Sequence, residues 1–100
     1  MPSITSISTS GLQAAQVRLQ TSAHNIANTQ TDGFHRQTVV QQARPAGAGV
    51  DATVVRSPTE AAALAADVVE QLSAKNAFLA NAAVLRTGNR VLGSLLDDRA

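Results

Sequence analysis

Two histidines and an aspartate lie near one another in the chain, at His24, Asp32 and His35, and residues of these types can ligate a divalent metal or exchange a proton near neutral pH. A metal site needs three or four donors at spacings that converge, and a general base needs a reacting partner. These three span a helix end and a turn with no further ligand in step with them, so solvated side chains explain them better. With no Cys, the chain has no thiolate ligand, thiol nucleophile or disulfide, and its redox compartment stays open. Neither a catalytic nor a cofactor or metal site is expected. The amides are placed more informatively: Asn25 and Asn28 fall where a helical pattern ends, and can cap that helix or bond to another.

The scaffold that would hold such groups is thin. Of 100 residues, 44% are hydrophobic, but Ala supplies 19 of them, and Phe34 and Phe78 are the only aromatics. A compact chain of this mass hides about 64% of its unfolded surface, and an elongated one hides less. A concave enzyme pocket is hard to build from so few large apolar side chains, and a protein partner is expected to complete the fold. A net charge of +1 from scattered Arg residues, without Tyr or Trp, argues against nucleic acid. The first residues have no basic region and no long apolar run, and no stretch approaches the ~18 apolar residues of a membrane span. Neither a cleavable signal peptide nor membrane insertion is expected, so export would need another route.

One domain over residues 1–100 accommodates three parts. Apolar or small residues at Ile4, Ser8, Leu12, Ala15, Leu19, Ala23 and Ile26 predict a helix over 4–28, flanked by an unusual surface of hydroxyls and amides. Asn28 to Gly33 is a cluster of turn residues that ends it, with Gly33 at positive φ. Residues 29–56 then read as loop and a short β-ribbon, with strands over 34–42 and 50–55 joined by the segment Arg44 to Gly49. Ser57, Pro58 and Glu60 form a capping box that opens a second helix over 57–97. Its apolar stripe is Leu64, Val68, Leu72, Leu79, Ala83, Leu85, Leu92 and Leu96, and Gly88 and Gly93 mark a bend or a close approach near its end. The fold class is mainly α: two long terminal helices paired as an antiparallel coiled coil or bundle, with a short β-hairpin between them.

The run Ser22-Ala23-His24-Asn25-Ile26-Ala27-Asn28-Thr29-Gln30-Thr31-Asp32-Gly33-Phe34 resembles the N-terminal signature of the bacterial flagellar basal-body rod and hook axial proteins. The tail, with Phe78, Asn81, Leu92, Gly93, Leu95 and Leu96, is similar to the C-terminal helix of the same family. With only residues 38–59 between the matched ends, the chain looks like a minimal, proximal-rod-like member. Asp32 stands where a Pro commonly precedes the motif Gly, Phe78 where a Tyr is usual, and His24 where Asn or a small residue is common.

The resemblance implies a non-enzymatic structural subunit of the flagellar rod. It would assemble through its terminal helices with other rod and hook subunits and with itself, forming homo-oligomers in isolation. It also implies passage through the flagellar export apparatus without a cleavable signal, to a basal body that spans the periplasm. Family motif and assembly residues would be Asn25, Ile26, Ala27, Asn28, Thr31, Gly33, Phe34, Phe78, Asn81, Leu92, Gly93, Leu95 and Leu96. The alternative is a small coiled-coil adaptor or export partner, a truncated rod paralogue outside the axial structure.

Overall fold

The computed structural model describes residues 3–57 and 63–97. Helix α1 covers Ile4–Ala27; strands β1, Gln37–Ala43, and β2, Val50–Arg56, form a two-stranded antiparallel sheet; helix α2 covers Leu64–Asp97. The particle is elongated, 63 × 25 × 13 Å.

Helix α1 begins where the Ser3 side chain accepts the Ser6 N–H at 3.0 Å, satisfying one amide that the first turn cannot pair internally. It stops at Asn28, whose backbone N–H still reaches the His24 carbonyl and whose side-chain amide donates to that same oxygen at 2.9 Å. The chain then turns through Gly33 at φ 71°, the left-handed conformation expected there. Strand β1 starts at Gln37, three residues later than the sequence pattern suggests, because Phe34 packs on His24 of α1, His35 bonds the Ser57 carbonyl and Arg36 bonds Asp67 of α2. The two strands pair from Gln37 with Arg56 to Ala43 with Val50, and a short 3₁₀ turn at Pro45–Gly47 joins them. The sheet lies on α1, where Ser10 Oγ accepts the Val50 N–H at 3.1 Å. Any Cβ at Gly49 would collide with Ser10, so this crossing requires glycine. The capping box falls mostly on residues 58–60, outside the described residues.

The faces that α1 and α2 turn to each other differ from the apolar stripes expected of them. On α1 the covered positions include Ser8, Ala15, Ser22 and Asn25, with Gly11 and Arg18 half-buried between them. With Ile4 these run in alternating steps of four and three, the spacing of a heptad seam. After Ser8, all but Ala15 of the expected stripe (Leu12, Leu19, Ala23, Ile26) sits one position further on; its larger members are half-buried and Ala23 is exposed. On α2 the covered positions include Asp67, Gln71, Ala74, Phe78, Asn81, Leu85 and Gly88, again in steps of four and three, with Glu70, Ala77 and Ala82 half-buried beside them. Of the expected α2 stripe only Leu85 belongs to this set, while Leu64, Val68, Leu72 and Leu79 are exposed. Small residues take the most deeply covered places of the seam because they let the backbones approach, as Ala74 at 0% and Ala15 at 1% exposure illustrate. Each buried methyl contributes only about 0.8 kcal/mol, so this closeness stabilises the pair weakly.

Contacts along the seam descend in α2 as they rise in α1. Ile4 Cγ2 lies 3.1 Å from the place a Gly88 Cβ would occupy. A Cβ on Gly11 would meet the Asn81 amide at 2.5–2.9 Å. Arg18 bonds Glu70 at 2.6 Å and Ser73 at 3.0 Å, and Asn25 bonds Asp67 at 3.3 Å. Of the two candidate glycines, Gly88 is thus a close approach, whereas Gly93 has open space around it and α2 runs through both.

Candidate assembly surface

Two regions of the molecule have properties beyond those of a plain scaffold. The first is a polar joint where the two helices and the hairpin meet. Asn25, 3% exposed near the end of α1, acts as a bridge: its Nδ2 donates to the Gln37 carbonyl at 2.7 Å and to Asp67 Oδ1 at 3.3 Å, and its Oδ1 accepts the Gln37 N–H at 2.9 Å. Asp67, 2% exposed in the first turn of α2, also accepts from Arg36 Nη2 at 2.5 Å and from Arg36 Nε at 3.3 Å. The side-chain bond to Asp67 is the main reason the Arg36 guanidinium is held above its ordinary value; partial burial opposes this and the carboxylate's charge adds to it. A pKa raised in the folded state means that this group's contribution is complete below the ordinary Arg value. It is lost only at more alkaline pH, so Arg36 stays charged through the neutral range. Among the described residues no buried side-chain polar atom lacks a partner.

The turn after α1 is held by local bonds. Asn28 Oδ1 accepts from Thr31 Oγ1 at 3.2 Å, and Thr29 Oγ1 donates to the Ile26 carbonyl at 2.7 Å. Phe34 tilts against His24, ring centroids 5.5 Å apart, and His35 Nδ1 donates to the Ser57 carbonyl at 2.8 Å. The histidines thus serve packing and a backbone bond. Among the described residues no three acidic or histidine side chains come close enough to hold a metal. Ile26 is half-buried and Ala27 exposed beside this turn.

The second region is the far end of α2. Because Ile4 stands opposite Gly88, the last turns of α2 extend past the beginning of α1. Ile4, Ala83, Val84, Thr87, Gly88 and Val91, with Leu92 and Leu95, line an open, almost wholly apolar groove of about 580 Å³. Leu92, Leu95 and Leu96 are 58%, 59% and 62% exposed. Further along α2, Val69, Leu72 and Leu79 are also uncovered. An apolar surface this large on a small chain is unusual for an isolated soluble molecule. No helix among the described residues is long and apolar enough to cross a membrane.

The sequence-derived residues therefore fall in three places. Asn25, Ile26, Ala27, Asn28, Thr31, Gly33 and Phe34 gather at the joint and its turn, Phe78 and Asn81 lie in the seam, and Leu92, Gly93, Leu95 and Leu96 form the overhang. Arg36 and Asp67, which complete the joint, were not among them. Their signal in the sequence is Asp67 standing seven, fourteen and twenty-one residues before Ala74, Asn81 and Gly88.

A slender pair of helices with a short two-stranded sheet, little interior and much uncovered apolar surface makes this a mainly helical protein. Residues 6–35 match the model of the flagella basal body rod protein family, and this stretch takes in most of α1 and the turn through Gly33 and Phe34. The resemblance read in residues 22–34 is thus supported by the family match over this N-terminal stretch. No curated protein gives a significant match to the chain.

Proposed function

We propose that the chain is a structural subunit of the flagellar basal-body rod, that α1 and α2 pair as an antiparallel coiled coil, and that it assembles with itself and with other axial subunits through these helices. The observation that carries this reading is the apolar surface the fold leaves open. Leu12, Leu19 and Ile26 each follow a seam position of α1 by one residue, as Leu72 and Leu79 do on α2. One residue turns a helix by about 100°, and reversing one helix brings both rows to the same side of the pair. The hairpin covers α1 elsewhere, around Ser10, Gln13, Ala14 and Val17. An apolar flank and an apolar overhang are then free for neighbours. A contact of this kind between unlike surfaces, repeated by one screw operation, builds an open helical filament.

On this reading the chain passes through the flagellar export apparatus and resides in the rod, with no chemistry of its own. Purified hook-basal bodies test it. The chain should be present in them at defined stoichiometry, and electron microscopy of bodies from cells lacking it should show an incomplete rod. Its absence from those bodies, with capture of export components instead, would favour an adaptor.

A further inference from the structure

Asp67 is the only charged residue among the described ones to be buried, and it lies away from the apolar overhang. The seam around it discriminates poorly between registers. The α1 side of the seam is mostly Ser, Gly and Ala, and a shift of one heptad, about 10.5 Å, keeps these small residues facing α2. That slip would set Gly11 on Gly88, Asn25 on Ala74 and Ile4 on Leu95, an exposed leucine in the observed arrangement. Apolar burial at that end of the pair therefore favours the slip. Something polar must hold the observed one.

We propose that Asn25, Asp67 and Arg36 form a register lock. Asp67 is bonded from α1 by Asn25 and from the segment leading into β1 by Arg36, while Asn25 is itself tied to both backbone groups of Gln37. All three segments thus converge on one carboxylate, and a slip of α2 withdraws it from every partner at once. Two further layers agree with it: the Asn81 amide occupies the space a Cβ on Gly11 would need, and Arg18 spans Glu70 and Ser73. Apolar substitutes for a buried ion pair are often neutral or stabilising, whereas a single polar pair in a seam can decide alignment. The lock keeps Leu92 and Leu95 out of the intramolecular seam. It is a property of the single chain and stands whether or not that chain sits in a rod.

The absence of Cys makes the test direct. In dilute full-length protein, the pair Ile4→Cys with Gly88→Cys reports the observed register, and Ile4→Cys with Leu95→Cys reports the slip. Oxidation should yield intramolecular cross-links efficiently with the first pair and poorly with the second. Adding Asp67→Leu and Arg36→Leu should keep the helical circular dichroism while shifting the ratio of the two cross-links toward the slip by about tenfold. Asn25→Leu should shift it in the same direction from the α1 side. An unchanged ratio in either background overturns the proposal. So does loss of helix in the Leu substitutes, because the cluster would then be needed for folding itself and not for alignment.

Discussion

Replacing Leu92 and Leu95 together by Asp separates what the overhang does for the single chain from what it does for assembly. In the chain alone both side chains are more than half exposed, at 58% and 59%, and they line the groove beside Ile4 without being covered by it. The loss there is chiefly helix propensity, about 1 kcal/mol for the two positions together. In an assembly the remaining area is what a neighbour would cover. Full burial of a Leu stabilises by about 1.5–3 kcal/mol, so the uncovered half or more of two residues amounts to about 2–4 kcal/mol. That alone weakens association about 30- to 700-fold, and carboxylates forced against an apolar partner weaken it further. Sedimentation velocity over a wide concentration range, with circular dichroism on the same samples, reads both quantities. Self-association should vanish at concentrations where the parent chain is oligomeric, with helix content nearly unchanged. Leu92→Gln with Leu95→Gln keeps helix propensity without charge and should retain part of the deficit. Undiminished self-association of the Asp variant would refute the reasoning, because the overhang would then not be at a contact.

Other perturbations have distinct signatures. Asn25→Ala removes three bonds from a site only 3% exposed and leaves the Gln37 N–H and carbonyl unpaired; urea titration should show about 2–3 kcal/mol lost. Gly33→Val forces a β-branched residue to φ 71°, and should lower stability by about 1–2 kcal/mol in thermal melts followed by circular dichroism. His24→Gln combined with His35→Gln should leave motility and rod assembly intact; loss of motility with normal assembly would reopen a chemical role for the histidines.

The elements were readable where local chemistry punctuates the chain. Asn28, Thr31 and Gly33 announce the end of α1, and the structure places the C-cap and the positive φ on the residues so marked. The ribbon was readable from Val50, Ala52 and Val54 and from the small residues between the strands, although β1 begins later than its β-branched character implies. The seam was not readable from hydrophobicity. A scale that ranks Leu above Ser selects Leu12 over Gly11 and Leu19 over Arg18, whereas the most fully covered places in the seam hold Ala15 and Ala74 and the tightest approaches hold Gly11 and Gly88. The result is a displacement of one position along most of α1 and much of α2. Strict seven-residue spacing of Ile4, Gly11, Arg18 and Asn25 was present all along, but its members share no chemical property that a search for apolar stripes could detect. Asp67 and Arg36 escaped notice for a related reason: charged residues are presumed solvated unless a partner is known, and theirs lies 31 residues away.

The overhang of α2 follows the 63 Å long dimension, whereas the row of Leu72 and Leu79 opens to the side of the helices. A cylindrical wall needs bricks that bond in two directions, lengthwise to the next course and sideways to the neighbour in the same course. In the proposed rod, the overhang would serve the first bond and the row of Leu72 and Leu79 the second.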